Sequence, residues 1–167
     1  VDTSRTYLGA LSRGKAKASG LKWFPYNKGG GFRRWYGNRQ YVVNWENDGH
    51  LLQTALDPTG SRIRAHNFNL EYIFKPSLTW SATSEAFSIR FSGSGFLFDV
   101  KGSSCFPDTG DILVSLGFLA SSLTQYLMGA LNPTIEFQPG NVASLPFWQE
   151  GIESRREAVE ASVSQAI

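Results

Sequence analysis

Apolar and polar residues alternate with period two in a few short stretches of the chain, and each predicts a strand. Gln40-Tyr41-Val42-Val43-Asn44-Trp45 is a β-branched and aromatic run that ends at an Asp48-Gly49 turn. Ala86-Phe87-Ser88-Ile89-Arg90-Phe91 alternates cleanly, Gly93-Ser94-Gly95 supplies a turn, and Phe96 to Val100 returns, which together predict a β-hairpin. Thr134 to Phe137 is a further short strand between Pro133 and a Pro139-Gly140 turn. The period lengthens to three and four at Ile112, Leu116, Leu119, Leu123, Leu127 and Leu131, predicting one long helix over about 111–131, with Asp111 as N-cap and Asn132-Pro133 as the stop. The twenty residues from Ile112 to Leu131 carry no charge, which is the length of a membrane span. Ser115, Ser122, Thr124 and Gln125 occupy its other faces, however, so the stripe is read as one that docks onto a sheet, with no membrane partner.

The pattern thus predicts an α+β fold: a twisted, mostly antiparallel sheet packed by one long helix and joined by long loops. Residues 1–20 are polar and rich in Ser, Gly and Lys, an arm or linker; 21–148 form the folded unit; 149–167 show a weaker helical period with interspersed charges and read as a linking helix. No internal repeat is visible. At 167 residues and 41% hydrophobic, there is apolar material for one core. The single cysteine, Cys105, cannot form an internal bridge, and no secretory leader is seen, so a reducing, cytoplasmic setting is expected. A start at Val1 without an initiator Met fits a piece of a longer chain.

Charge changes the picture. The net value is only +2, yet up to Trp45 nine basic residues face Asp2 alone, and the rest of the chain is acidic. So local an excess points to a surface that meets phosphates or an acidic partner, the alternative being a solvated basic arm. Its densest part is Lys22-Trp-Phe-Pro-Tyr-Asn-Lys28-Gly29-Gly30-Gly31-Phe-Arg33-Arg34-Trp35-Tyr36-Gly37-Asn38-Arg39, where cations and rings interleave around a glycine run. Arg binds phosphate or the guanine edge with a fork, Lys binds phosphate as a point charge, and rings stack on bases. Glycines let a backbone approach closely and expose peptide N–H groups to phosphate. Asn38 is a candidate for reading an adenine edge, although a turn role after Gly37 is the stronger reading. At least half of Trp23, Phe24, Trp35 and Tyr36 are expected in the core.

Three stretches imitate enzymes and are set aside. Gly9 to Ala16 is one residue from a phosphate-binding P-loop, but Ala16 replaces the hydroxyl that holds magnesium and no apolar strand precedes it. Phe91-Ser92-Gly93-Ser94-Gly95 looks like a loop that cradles S-adenosylmethionine, yet a strand rather than a helix is expected to follow it. His50 and His66 match no metal-ligand spacing. Glu150, Glu153, Glu157 and Glu160 read as a solvated helix face. No catalytic residue and no metal ligand is assigned.

Three ordered blocks carry a resemblance: KWFPYNKGGGFRRWYGNRQYVVNWENDG from Lys22, LTWSATSEAFSIRFSGSGFLFDVKGSS from Leu78, and LGFLASSLTQYLMGALNPTIEFQPGNVASLP from Leu116. Over most of residues 21–147 the chain resembles the C-terminal part of large adenine-specific DNA methyltransferases of phage-defence (BREX-type) and restriction-modification systems, with a TaqI-like specificity domain. The resemblance implies a target-recognition module that grips duplex DNA while a separate catalytic domain flips and methylates an adenine with S-adenosylmethionine. The family's catalytic Asn-Pro-Pro-Tyr/Phe has no counterpart, since Asn132-Pro133-Thr134 departs from it; this chain is therefore expected to hold no cofactor and to methylate nothing itself. The implied partners are duplex DNA, the parent's catalytic domain and other subunits of a defence complex. Candidate DNA contacts are Lys22, Lys28, Gly29, Gly30, Arg33, Arg34, Trp35, Tyr36, Asn38 and Arg39, with Arg62, Arg64 and Arg90 in support. The alternatives are a protein-interaction module with a basic face for an acidic subunit and an intact small nuclease, the latter opposed by the lack of a carboxylate cluster.

Overall fold

The chain is described by a computed structural model over residues 2–65, 69–147 and 149–167. His66 and Trp148, the latter at the expected domain boundary, lie outside the described residues. In chain order the elements begin with a short helix α1 (Arg13–Ala18), strands β1 (Trp23–Asn27) and β2 (Val42–Asn44), and helix α2 (Glu46–Thr54). Strands β3 (Ser77–Trp80), β4 (Ile89–Ser92), β5 (Leu97–Phe98) and β6 (Ser104–Cys105) follow. Helices α3 (Ile112–Leu119), α4 (Ser122–Leu131), α5 (Pro139–Ala143), α6 (Gln149–Glu153) and α7 (Arg156–Ala166) complete the chain.

The α+β class holds, but among the described residues the strands form two three-stranded sheets rather than one. In the first, β1 lies between antiparallel β2 and parallel β5, with Phe24 opposite Val43 and Tyr26 opposite Leu97. In the second, β3 lies between antiparallel β4 and β6. The expected hairpin is therefore not formed. After β4, Gly95 at a φ of 98° turns the chain out of the second sheet, its N–H donating to Phe74 O, and β5 pairs with β1. Thr134–Phe137 is reduced to one bridge, Thr83 to Glu136.

The long helix is two. α3 and α4 meet at a bend of 64°, because Ser121 caps α4 by accepting the Thr124 N–H, while the Thr124 hydroxyl donates to Phe118 O at 2.7 Å. No single helix is long and apolar enough to cross a membrane. The uniform stripe also fails: Leu116 and Leu119 are buried, but Leu123 and Leu131 are exposed, and Met128 takes the inward place on α4. Asp111 stands at the N-cap position of α3 as expected, but its side chain makes no capping hydrogen bond and instead accepts from Arg156 at the start of α7 at 2.8 Å.

Two apolar clusters result. Leu78, Trp80, Phe87 and Ile89 pack with Leu116, Leu119, Met128 and Phe137, and Val163 of α7 closes that cluster against Gly117. Phe24, Trp45, Ile73, Phe74 and Leu97 form the other, onto which the stretch before residue 21 packs through Ala10 and Ala16. Every residue of β3 is buried, so its alternating sequence does not mark an outer face.

Candidate nucleic-acid interface

The segment from Lys28 to Tyr41 leaves the first sheet at the end of β1, touches the second at β4, and returns as β2. Its main-chain pairing with β4 is one residue wide: the Trp35 N–H donates to Ile89 O at 3.0 Å, and Trp35 O accepts the Phe91 N–H at 2.8 Å. Trp35 adopts a φ of 72° there, and its side chain is half-buried against the cluster of Leu78, Trp80 and Ile89.

Three carbonyls in the loop are held from the protein side. Gly30 O accepts the Ser81 hydroxyl at 2.8 Å, Gly31 O accepts the Asn38 side-chain amide at 2.9 Å, and Arg33 O accepts the Arg90 guanidinium at 3.4 Å. Asn38 is buried at a φ of 57°, so it serves the turn. Gly29 is required twice over: its φ is 85°, and a Cβ there would lie 2.6 Å from Lys101 O. Lys101 is in turn fixed by Asp99, whose carboxylate accepts the Lys101 and Gly102 N–H groups at 2.8 and 2.9 Å. The Tyr26 hydroxyl also donates to Asp99, and burial first, then that bond, pushes its phenol up from the ordinary range.

Among the described residues none of Lys22, Lys28, Arg33, Arg34 or Arg39 has an ion-pair partner, whereas Arg5 is paired with Glu46 and Arg13 with Asp48 at 2.6 Å. Lys28, Arg33 and Arg34 are exposed; Lys22 is half-buried. Rings support them. Lys22 lies 5.3 Å over Trp23, Lys28 5.1 Å over Tyr41, and Arg34 5.9 Å over Phe32. Arg39 sits 3.9 Å from the centre of Tyr36 and 5.3 Å from that of Phe96, and donates to Phe91 O at 3.0 Å, so it clamps the end of the loop to β4. Tyr36 remains exposed beside it, and its N–H donates to Arg34 O.

No family model matches the chain. It is 44% identical over 146 residues to the adenine-specific methyltransferase PglX of Lacticaseibacillus casei (strain Zhang), covering 86% of the chain and 12% of that protein. It is 36% identical over 141 residues to the adenine-specific methyltransferase BrxX of Escherichia coli O9:H4 (strain HS), covering 82% of the chain and 11% of that protein. The chain thus spans about one-eighth or less of the length of the methyltransferases it matches.

The remaining sequence candidates fall elsewhere. Arg62 and Arg64 are on a separate exposed loop closed by a Leu56–Ile63 bridge, and Arg62 pairs with Asp57 at 3.2 Å. Arg90, on β4, is only 1% exposed and meets the loop from beneath. Asn132 donates to Thr134 O and Glu136 O and accepts the Thr134 hydroxyl, so its amide is spent on its own turn, at the edge of a groove of about 330 Å³ that Phe87, Gln125 and Met128 line. Phe91 to Gly95 does not fit S-adenosylmethionine: the Ser92 hydroxyl accepts from Asn27, and β5, not a helix, follows. Sequence reasoning missed Ser81 and Tyr41, because their roles depend on partners distant along the chain. Only the Asp99 to Gly102 turn left a local signal, an Asp two and three residues ahead of the N–H groups it accepts.

Proposed function

We propose that this chain is the DNA-gripping, target-recognition part of an adenine-specific DNA methyltransferase. It holds duplex DNA through the 28–39 loop, in the cytoplasm, while the parent's catalytic domain binds S-adenosylmethionine and methylates the flipped base. One observation carries the reading: Lys28, Arg33 and Arg34 project unpaired from a loop anchored on both sheets, whereas Arg5 and Arg13 are satisfied internally. Long cations resting on rings lose part of their rotamer freedom before binding, which favours a prepared surface. Trp23, Phe32, Tyr36 and Tyr41 each have one face occupied by a cation, which suits backbone contact with stacked duplex better than splayed single-stranded bases. The likeness to two adenine-specific methyltransferases supports the same reading.

The test is a salt titration of duplex binding by the full-length protein with Arg33→Gln and Arg34→Gln combined. Loss of two phosphate contacts should weaken binding on the order of tenfold or more and reduce the slope of log affinity against log salt by about two. Unchanged affinity at moderate salt would refute the assignment. Heparin and an acidic protein, tried in parallel, must show no comparable preference; equal or tighter binding to the acidic protein would favour a subunit-docking role.

A further inference from the structure

Arg90 is a cation buried without an anion. It is 1% exposed, it has no carboxylate partner among the described residues, and its Nε makes no hydrogen bond. Its two long contacts are with Arg33 O at 3.4 Å and the Ser81 hydroxyl at 3.5 Å. Burial pushes its guanidinium down to about 10, which leaves it charged at neutral pH. An uncompensated buried charge is costly, so its retention on β4 calls for a reason beyond packing.

What lies over it is the loop's main chain. A trans peptide plane directs its carbonyl and the following N–H to opposite sides. The carbonyls of Gly30, Gly31 and Arg33 are turned to Ser81, Asn38 and Arg90, so the N–H groups of Gly31, Phe32 and Arg34 are turned away from them, and none of the three has a partner among the described residues. The three N–H groups belong to a loop that Arg90 and Ser81 hold at Arg33 O and Gly30 O, and with the exposed Arg33 and Arg34 beside them they offer donors to an oxyanion.

We propose that this is a seat for one backbone phosphate of the duplex, made by the main-chain N–H groups of Gly31, Phe32 and Arg34, with Arg90 as the positioning residue that holds it from below and supplies its field. The inference rests on the DNA-gripping reading and names the contact on which the grip is centred. Arg90 does not touch the DNA; it fixes Arg33 O, and Ser81 links it to Gly30 O.

Arg90→Met in the full-length protein separates this role from a merely structural one. Replacing an unpaired buried cation by an apolar side chain of similar length should leave the melting temperature without DNA unchanged or raised. Binding to random-sequence duplex DNA should nevertheless weaken about tenfold, with the salt slope reduced by about one, as expected for one phosphate contact. Should Arg90→Met fail to fold, Ser81→Ala in the same assay cuts the link to Gly30 without removing the charge, and the same two losses are expected. If the Arg33/Arg34 variant loses binding while the foldable one of these variants keeps both affinity and slope, the seat is refuted and the interface stands. If none of them changes binding, the interface falls with it.

Discussion

Within the glycine run, the three residues are not equivalent. Gly29 combines a φ of 85° with a carbonyl in the place of a Cβ, whereas nothing lies within 4 Å of a Cβ at Gly31. Gly29→Ala should therefore cost about 2 kcal/mol in denaturant unfolding, and Gly31→Ala should stay within about 0.5 kcal/mol of the parent; equal effects would contradict the positions of Lys101 and the loop. The sequence shows that a glycine-rich cationic loop is present and that Asn38 follows a glycine in a turn. Which glycines are indispensable depends on the Lys101 carbonyl at Gly29 and on the Asn38 side chain at Gly30, where φ is 142°, and no local pattern carries that. Arg90 is subject to the same limit. Alternation with Ile89 and Phe91 marks it as the polar member of a strand, with no sign that its face of β4 is covered by Trp35 and the loop.

The helical stretch after Asp111 illustrates how far periodicity reaches at the level of elements. Leucines continue at spacings of three and four through Ala120 and Ser121, so the pattern survives a break that bends the helix by 64°. The break is chemical: the Ser121 hydroxyl accepts the Thr124 N–H at 3.2 Å, starting a new helix in place of continuing the old one. Ser121→Ala should lower stability by about 1 kcal/mol, read as a shift in the urea midpoint with an unchanged slope. The strand at 42–44 and a turn at Asp48-Gly49 are readable from β-branching and Asp-Gly, but the left-handed conformation of residues 47–49 and the helix that follows them are not. The return strand after Gly95 was readable as a strand, but its partner was not. Partner choice there is decided by β1 and the apolar cluster around Phe24 and Leu97, not by the turn.

Across the whole molecule, the basic N-terminal half is less uniform than its charge count. Arg5 and Arg13 are spent on Glu46 and Asp48, which ties the first residues and α1 to α2; among the described residues Lys15, Lys17 and Lys22 share with the loop's Lys28, Arg33, Arg34 and Arg39 the unpaired part of the excess. Screening over about 8 Å at physiological salt makes distant charges weak contributors. Arg5→Gln with Arg13→Gln should accordingly change duplex affinity less than threefold, on the order of 0.6 kcal/mol, while lowering the melting temperature; a loss as large as that of the Arg33/Arg34 pair would move the interface to the N-terminal segment.

The single-residue bridge at Trp35 has a consequence for solubility. β4 is an outer strand of its sheet, and the main-chain groups of Ile89 and Phe91 that would otherwise be open to a strand from another molecule are already engaged by Trp35. Detaching the loop would bare that margin, so variants that loosen it should aggregate through β4, read as light scattering of the folded protein.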